Sequence, residues 1–404
     1  HALQGFVTRA SEARIRRLLT DDRIAFIEED GISYPSITQF NATWGLDRVD
    51  QPNLPLNGTY VYDSGASSVR VYVIDTGILA THTDLSGRVL TGTTFVSDGN
   101  GTSDCNGHGT HVAGTVAGTT WGVAKQARVV PVRVFGCTGG AANSTIAAAI
   151  DWVRANHVKP AVVNMSLGGS ANSTVDTATN NLINAGVLAV VAAGNSNANA
   201  CNFSPARVAN AVTVGATASN DARSVWSSTQ ASNFGSCLDL FAPGTSITSA
   251  WWTSTTATNT INGTSMASPH VAGTAALYLE TSPTATPSQV ANAIITNATT
   301  GKVTNAGSGS PNRLLYSRFA SGAPTITDFN CPDMANSGAG QYFCDVSFTS
   351  GTPVTITWNG DVGSEVFFGT CGQFQTVNMT VEVSNASGSD SRTASFACPT
   401  GPIP

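Results

Sequence analysis

The sequence predicts an α/β fold, with a mostly parallel sheet that carries helices on both faces. Between residues 37 and 320, strands that are apolar throughout alternate with helical stretches, which is typical of a parallel sheet covered on both sides. After residue 320 the helical period ends, and short alternating runs predict a separate all-β sandwich over 321–404. Residues 1–36 form a third, more charged segment.

Each predicted element follows from a local pattern. Apolar runs predict strands at 69–75, 127–135, 161–167, 187–193 and 211–217. Helical spacing predicts helices at 144–157 and 172–185. In the first segment, Ile15, Leu18 and Leu19 share one helical face, and the run "RIAFIEED" reads as a strand.

Composition narrows the class of protein. Only 11% of the 404 residues are charged, and the formal net charge is -6. This balance lacks the excess of basic residues that is typical of nucleic-acid-binding proteins, so we expect no nucleic-acid partner. No stretch approaches the roughly 18 consecutive apolar residues of a membrane span. We therefore expect a globular protein, and a monomer.

The eight cysteines predict disulfides and an extracellular location. None has Cys-x-x-Cys spacing, which argues against a zinc ribbon or a thioredoxin-type site. Four of them fall in the last domain, where three pairings are possible. If the runs around them form hairpins, Cys331 pairs with Cys344 and Cys371 with Cys398. The other four are Cys105, Cys137, Cys201 and Cys237.

Three glycine-flanked residues at element ends supply an acid, a base and a nucleophile. Asp75 ends a buried strand, His108 begins a small-residue helix, and Ser265 precedes an apolar helical run. In a parallel sheet such ends meet at one edge. Serine needs a base to become nucleophilic, histidine titrates near neutrality, and aspartate orients the imidazole. Read alone, Ser265 is a helix N-cap.

Two further residues belong to this pattern. Asn195 follows another buried strand, and its amide can stabilise a developing oxyanion together with the N–H of Ser265. Pro269 is predicted in the first turn of the helix that follows Ser265, where a missing N–H costs nothing.

Residues 37–320 resemble the subtilase family of serine endopeptidases, through five motifs in the same order: "VIDTGI", "NGHGTHVAGT", "SLGG", "AAGN" and "GTSMASPHVAG". The runs "WGLDRVDQ" and "WGVAK" are similar to the proteinase K branch, and within it to aqualysin-type enzymes. The resemblance implies a subtilisin-like fold, broad endopeptidase activity with Asp75, His108 and Ser265 as the triad, and Asn195 as the oxyanion donor. It also implies a set of substrate-binding residues: Gly139, Gly140, Ser166, Leu167, Gly168, Ala192, Ala193 and Gly194.

Structural calcium is the expected cofactor. Asp47, Asp50 and Gln51 have helical spacing, and Asn57 and Thr59 follow in a loop, so hard oxygen ligands gather there. The same acidic residues could simply favour a helix start. The resemblance favours calcium, and it implies a second site as well as two disulfides. That site uses the carbonyls of Ala209 and Ala211 with the Asp239 carboxylate, and the pairs are Cys105–Cys137 and Cys201–Cys237.

Residues 1–36 resemble the last part of a subtilase inhibitor prodomain. The resemblance implies a precursor that cuts its own chain near Ser36–Ile37, and a prodomain that acts as an intramolecular inhibitor. The rival hypothesis is a catalytically restrained binding or regulatory protein on the same fold. Four aromatic residues of the last domain read as core or as a binding surface: Trp358, Phe367, Phe368 and Phe374.

Overall fold

The computed structural model describes residues 37–319, 325–331, 341–349, 355–359, 361–363, 366–371, 376–385 and 388–398. The predicted prodomain segment 1–36 lies outside the described residues, and so does Phe374. The side chain of Phe368 is likewise not described. None of the described helices combines the length and the hydropathy that a membrane span requires.

The strands of the region before residue 320 are β1 (Ile37–Phe40), β2 (Thr59–Tyr62), β3 (Arg70–Asp75), β4 (Thr93–Thr94), β5 (Arg128–Arg133), β6 (Ala161–Met165), β7 (Gly169–Ser170), β8 (Leu188–Ala192), β9 (Phe203–Ser204), β10 (Val212–Thr217), β11 (Leu240–Pro243), β12 (Ile247–Ala250), β13 (Thr258–Ile261), β14 (Thr299–Thr300) and β15 (Arg313–Leu314). The helices are α1 (Trp44–Val49), α2 (His108–Ala117), α3 (Asn143–Asn156), α4 (Ser173–Asn184), α5 (Thr264–Thr281) and α6 (Pro287–Asn297), with 3-10 turns at Thr83–Leu85 and Ala200–Asn202.

Nine strands form the central sheet in the order β14-β15-β11-β10-β8-β6-β3-β5-β4. All of its pairings are parallel except the edge pair β14–β15. Two short antiparallel pairs, β1–β2 and β12–β13, lie beside it, as does the pair β7–β9. The predicted α/β class with a mostly parallel sheet is therefore confirmed.

Alternate residues of the central strands pack into hydrophobic cores on opposite faces of the sheet, which is why these strands are apolar throughout. On β3, Val71 and Val73 belong to the core that contains the apolar side chains of α2, α5 and α6. Their neighbours Tyr72 and Ile74 belong to the core that contains those of α3 and α4. Helices thus cover both faces of the sheet. The loops at the strand ends are not covered in this way, so a site can form there.

The prediction for Pro269 is wrong. Helix α5 begins at Thr264, so Pro269 lies inside it rather than in its first turn. A proline inside a helix leaves the carbonyl of the residue four positions earlier without its helical donor. That carbonyl belongs to Ser265, and the hydroxyl of Ser166 donates to it at 2.8 Å.

The C-terminal region contains β16 (Thr325–Asn330), β17 (Gln341–Thr349), β18 (Thr355–Trp358), β19 (Asp361–Gly363), β20 (Val366–Thr370), β21 (Thr376–Asn385) and β22 (Gly388–Ala397). They form two antiparallel sheets, β16-β17-β20 and β19-β18-β21-β22. Trp358 is buried in the core that the sheets share, and Phe367 packs against that core. The C-terminal region is therefore rich in β-structure, with Trp358 buried in its core and Phe367 half-buried against it.

Four disulfides are present, and each joins the pair that was expected: Cys105–Cys137, Cys201–Cys237, Cys331–Cys344 and Cys371–Cys398. In the tail, β16 pairs with β17 and β21 with β22, so both hairpins assumed for the pairing are formed.

Candidate active site

Three of the predicted residues follow neighbouring strands of the central sheet. Asp75 ends β3, Ser166 comes directly after β6, and Asn195 lies just beyond β8. These strands are adjacent and parallel, so their carboxyl ends lie at the same edge. The fold therefore gathers side chains that are far apart in the sequence.

Asp75 and His108 form a close pair. The Asp75 side chain is fully buried, and its Oδ1 lies 2.7 Å from Nδ1 of His108. The main-chain N–H of Thr76 donates to the same oxygen at 2.7 Å. Burial lowers the pKa of His108, but the charge and hydrogen bond of Asp75 outweigh burial, so the pKa is raised from 6.5. This contact fixes the tautomer that leaves Nε2 free to accept a proton.

The start of helix α2, which carries His108, is held by a buried carboxylate. Asp104 Oδ1 accepts the N–H groups of Asn106 and Gly107, both at 2.9 Å. Its Oδ2 accepts the N–H of Thr110 at 2.9 Å and the hydroxyl of Thr110 at 2.6 Å. Asp104 therefore caps the start of α2, the role in a loop or helix cap that its position in the sequence predicts, and it fixes the backbone next to His108.

Ser265 and Ser166 are joined by two reciprocal hydrogen bonds. The hydroxyl of Ser265 donates to the carbonyl of Ser166 at 3.2 Å, and the hydroxyl of Ser166 donates to the carbonyl of Ser265 at 2.8 Å. Among the hydrogen bonds of the described residues, none joins Ser265 to His108. In this structure the hydroxyl of Ser265 is therefore bonded to the carbonyl of Ser166 and not to His108.

Asn164, which sequence reasoning missed, supports this link from inside the sheet. Asn164 on β6 is fully buried, and its side-chain N–H donates to the hydroxyl of Ser166 at 2.9 Å. Its side-chain oxygen accepts the hydroxyl of Ser268 at 2.5 Å. A polar Asn within the apolar run "AVVNMSL" was the sequence signal, because buried amides require partners.

Two N–H donors converge beside Gly263. The side-chain oxygen of Asn195 accepts both the N–H and the hydroxyl of Thr264, so its amide nitrogen is directed elsewhere. A Cβ added to Gly263 would lie 3.4 Å from that nitrogen, Nδ2 of Asn195, and 3.5 Å from the main-chain nitrogen of Ser265. Both donors therefore lie close to one point next to Ser265, which is the arrangement that an oxyanion needs.

A cavity of about 440 Å³ opens beside His108. It contains five of the predicted substrate-binding residues: Gly139, Gly140, Ser166, Leu167 and Gly168. Its other lining residues include the apolar Phe135, Ala141, Ile146 and Val175, and the lining contains no Asp, Glu, Lys or Arg. The remaining predicted residues lie elsewhere: Ala192 and Ala193 are buried and, with Gly194, are not part of this lining.

Residues 66–315 match the model of the subtilase family. The chain belongs to the subtilase family. It is 56% identical over 318 residues to an extracellular serine proteinase of Thermus sp. (strain Rt41A), across 79% of this chain and 76% of that protein. It is 45% identical over 367 residues to alkaline serine exoprotease A of Vibrio alginolyticus, across 88% of this chain and 65% of that protein.

Further comparisons place this subtilase in the predicted branch. Proteinase T of Parengyodontium album is 46% identical over 230 residues, across 55% of this chain and 76% of that protein. A solved cold-adapted subtilisin-like serine proteinase is 50% identical with a TM-score of 0.66, and the match covers 69% of this chain and 99% of that chain. The predictions of a serine protease and of an extracellular protein are confirmed.

The first group of candidate calcium ligands in this subtilase lies around the end of α1. Asp47 and Asp50 are buried, and the Asp47 carboxylate accepts the N–H groups of Asn57 at 3.2 Å and Gly58 at 2.7 Å. Oδ2 of Asp50 accepts the N–H of Val61 at 2.5 Å, whereas its buried Oδ1 has no hydrogen-bond partner. Burial raises the pKa of Asp50 to about 6.

The other residues of this group are engaged within their own loop. The side-chain nitrogen of Gln51 donates to the carbonyls of Asn53 and Pro55, the latter at 2.8 Å. The side-chain oxygen of Asn57 accepts the N–H of Thr59 at 2.8 Å and its hydroxyl at 2.6 Å. Asp50 Oδ1 is thus the atom of the group that most clearly fits a cation.

The second group is less buried. Asp239 is half-buried, and its Oδ2 accepts the N–H of Thr213 at 2.8 Å. Burial raises the pKa of Asp239 to about 6. Ala209, four residues before Thr213, is exposed, and Ala211, two residues before it, is buried on the approach to β10.

Proposed function

We propose that this subtilase is an endopeptidase that hydrolyses proteins through an acyl-enzyme intermediate. His108 removes the proton of the Ser265 hydroxyl, and the oxygen attacks the carbonyl carbon of the scissile bond. His108 then gives that proton to the leaving amine as the C–N bond breaks. Water attacks the resulting ester by the same route, which releases the acid and restores Ser265. Asp75 stabilises the imidazolium in both halves.

Asn195 and the N–H of Ser265 stabilise the negative oxygen of each tetrahedral intermediate. This role rests on the two nitrogens that converge beside Gly263. The observation that carries the whole proposal is the 2.7 Å contact between buried Asp75 and His108. This contact orients the His108 imidazole to act as a base, and His108 lines the cavity.

Broad specificity follows from the character of that cavity. Gly139 and Gly140 are exposed, and a Cβ at either position would meet no atom within 4 Å, so an extended substrate chain can approach their backbone. Main-chain hydrogen bonds give affinity without reading side chains. The lining contains several apolar side chains and no Asp, Glu, Lys or Arg, so it favours uncharged substrate side chains over charged ones.

Calcium is the proposed structural cofactor. The unpartnered buried oxygen of Asp50, beside the carboxylate of Asp47, supports the first site with Gln51, Asn57 and Thr59 as the remaining ligands. Asp239 with the carbonyls of Ala209 and Ala211 would hold a second ion. Calcium there would neutralise buried carboxylates and stabilise the loops that contain them.

The proposed precursor cuts its own chain near Ser36–Ile37 and is inhibited by its prodomain, which the resemblance of residues 1–36 to the last part of a subtilase inhibitor prodomain supports. We also propose that the enzyme acts as a monomer.

Labelling and product analysis test this function. A fluorophosphonate should label the processed enzyme at Ser265, and Ser265→Ala should abolish both labelling and protein hydrolysis. A peptide blocked at both ends distinguishes endopeptidase from exopeptidase activity, which matters because the Vibrio relative is named an exoprotease. Failure of the wild-type enzyme to cut the blocked peptide would contradict the proposal.

A further inference from the structure

The antiparallel pair β12–β13 connects the two helices that carry the proposed base and nucleophile. On one side it packs along α2, since a ring nitrogen of buried His111 lies 3.0 Å from the carbonyl of Ile247 and the hydroxyl of Ser249 donates to the carbonyl of His111 at 2.9 Å. On the other side β13 leads through Asn262, Gly263 and Thr264 into Ser265.

Trp251, in the loop of this hairpin, lies directly against the residue before His108. A Cβ placed on Gly107 would come within 2.4 to 2.5 Å of three atoms of the indole six-membered ring. Gly107 has φ of +112°, a conformation that favours glycine. Both this backbone conformation and the contact with the indole therefore require glycine at position 107. The indole also meets the ring of His111 edge-on, with centroids 6.3 Å apart.

The loop that carries Trp251 is anchored on its far side. The main-chain N–H of Trp251 donates to the carbonyl of Ala257 at 2.8 Å. Thr83 donates to the carbonyl of Thr255 twice, from its N–H at 2.8 Å and from its hydroxyl at 3.0 Å. A ring nitrogen of His82 lies 2.8 Å from the carbonyl of Ala257. The indole is therefore held against α2 by a fixed loop.

We propose that Trp251 is a positioning residue for catalysis. It holds the Gly107–His108 peptide against the hairpin that continues into Ser265, and so it sets the separation between the imidazole and the serine hydroxyl. This inference rests on the proposed function of the site. The separation matters here because the hydroxyl of Ser265 is bonded to the carbonyl of Ser166 and not to His108, so the approach of the imidazole decides whether proton transfer can occur.

The geometry makes a specific kinetic prediction. Asp75 still orients the imidazole when the indole is removed, and the substrate cavity is lined by other residues. Proton transfer should therefore weaken while binding is retained. Displacement of a reacting group by about 1 Å can cost about 10²-fold in rate, so a roughly tenfold or greater loss of kcat is expected.

The test compares Trp251→Ala and Trp251→Phe with Trp252→Ala, a change to the neighbouring half-buried tryptophan of the same loop. The wild-type enzyme is first shown to cut the blocked peptide, so that a failure of the function is seen before any variant is judged. Active sites are titrated with a fluorophosphonate, and kcat, KM and the thermal unfolding midpoint are then measured. Trp251→Leu replaces Trp251→Ala if the alanine variant does not fold.

The proposal predicts that kcat per titrated site falls at least tenfold in Trp251→Ala, with KM within about twofold of wild type. The rate of fluorophosphonate labelling should fall in parallel. Trp251→Phe should recover most of the loss, and Trp252→Ala should behave as wild type. The proposal is overturned if kcat per titrated site is unchanged, if KM alone rises, or if both tryptophan-to-alanine variants lose activity equally.

Discussion

Thr264 holds the side chain of Asn195 with two hydrogen bonds to a single oxygen, from its N–H at 2.9 Å and from its hydroxyl at 2.8 Å. The same hydroxyl accepts the N–H of Gly194 at 3.1 Å. The side-chain amide of Asn195 can accept the N–H and the hydroxyl of Thr264 only with its oxygen. Its NH₂ group is therefore fixed in the direction of Gly263. Thr264, the residue before the proposed nucleophile, therefore orients the proposed oxyanion donor in the absence of substrate.

Replacement of Asn195 should reduce transition-state stabilisation without weakening substrate binding. We expect Asn195→Ala to lower kcat by about 10²- to 10³-fold with little change in KM, since loss of one oxyanion donor has this effect in acyl transfer. The Asn195→Asp variant is a second probe, because it keeps the oxygen that Thr264 contacts and replaces the NH₂ donor with a carboxylate oxygen that repels the oxyanion. If Asn195→Asp retained wild-type kcat, the oxyanion role would be refuted.

Removal of the Thr264 hydroxyl should cause a smaller loss of the same kind. Thr264→Val keeps the N–H bond to Asn195 but removes the hydroxyl, which donates to Asn195 and accepts the N–H of Gly194. The bond to Asn195 is worth about 1 kcal/mol, so we expect kcat to fall roughly fivefold to tenfold. Steady-state kinetics of Thr264→Val and Thr264→Ser would check this. The serine variant should stay near wild type, and an equal loss in both would mean that packing rather than the hydroxyl is responsible.

Activity should depend on pH through His108. Because the pKa of His108 is raised from 6.5, the neutral form that accepts a proton is reached only at higher pH. We expect kcat/KM of the free enzyme to rise with pH and to reach its plateau above neutrality, with an apparent pKa above 6.5. A profile measured with a neutral peptide amide would test this. A limb centred at or below 6.5 would contradict the assigned base.

Strand positions and strand-end residues were predictable from the sequence, because both depend on local patterns. The run "VYVID" gave the end of β3 at Asp75, and parallel strands bring such ends together. The bonds of Ser268 to Asn164 and of Thr264 to Asn195 were not predictable, since they join residues 104 and 69 positions apart. Their geometry exists only after the sheet has formed.

The misplaced Pro269 shows the limit of position-based preference. Proline favours the first turn of a helix because its missing N–H costs nothing there. In α5 the freed carbonyl of Ser265 instead accepts the hydroxyl of Ser166, a partner 99 residues away. A distant donor thus removes most of the cost on which the local preference rests.

Calcium removal should destabilise the enzyme through Asp50. Its buried oxygen has no protein partner, so we expect a chelator to lower the thermal unfolding midpoint and saturating calcium to restore it. At a calcium concentration about 100 times the dissociation constant, one site contributes about 2.7 kcal/mol. Asp50→Asn should lose much of this response, because the amide carries no charge to attract the ion.

Asp151→Asn is the matched control for that variant, because its carboxylate is half-exposed and pairs with Arg154 on the surface of α3. It should keep the full calcium response, measured as the difference in midpoint with and without chelator. Asp239→Asn tests the second site in the same way, and the double variant should respond to neither calcium nor chelator. A wild-type midpoint that chelator leaves unchanged would show that the carboxylates hold no calcium and that Asp50 is buried without this compensation.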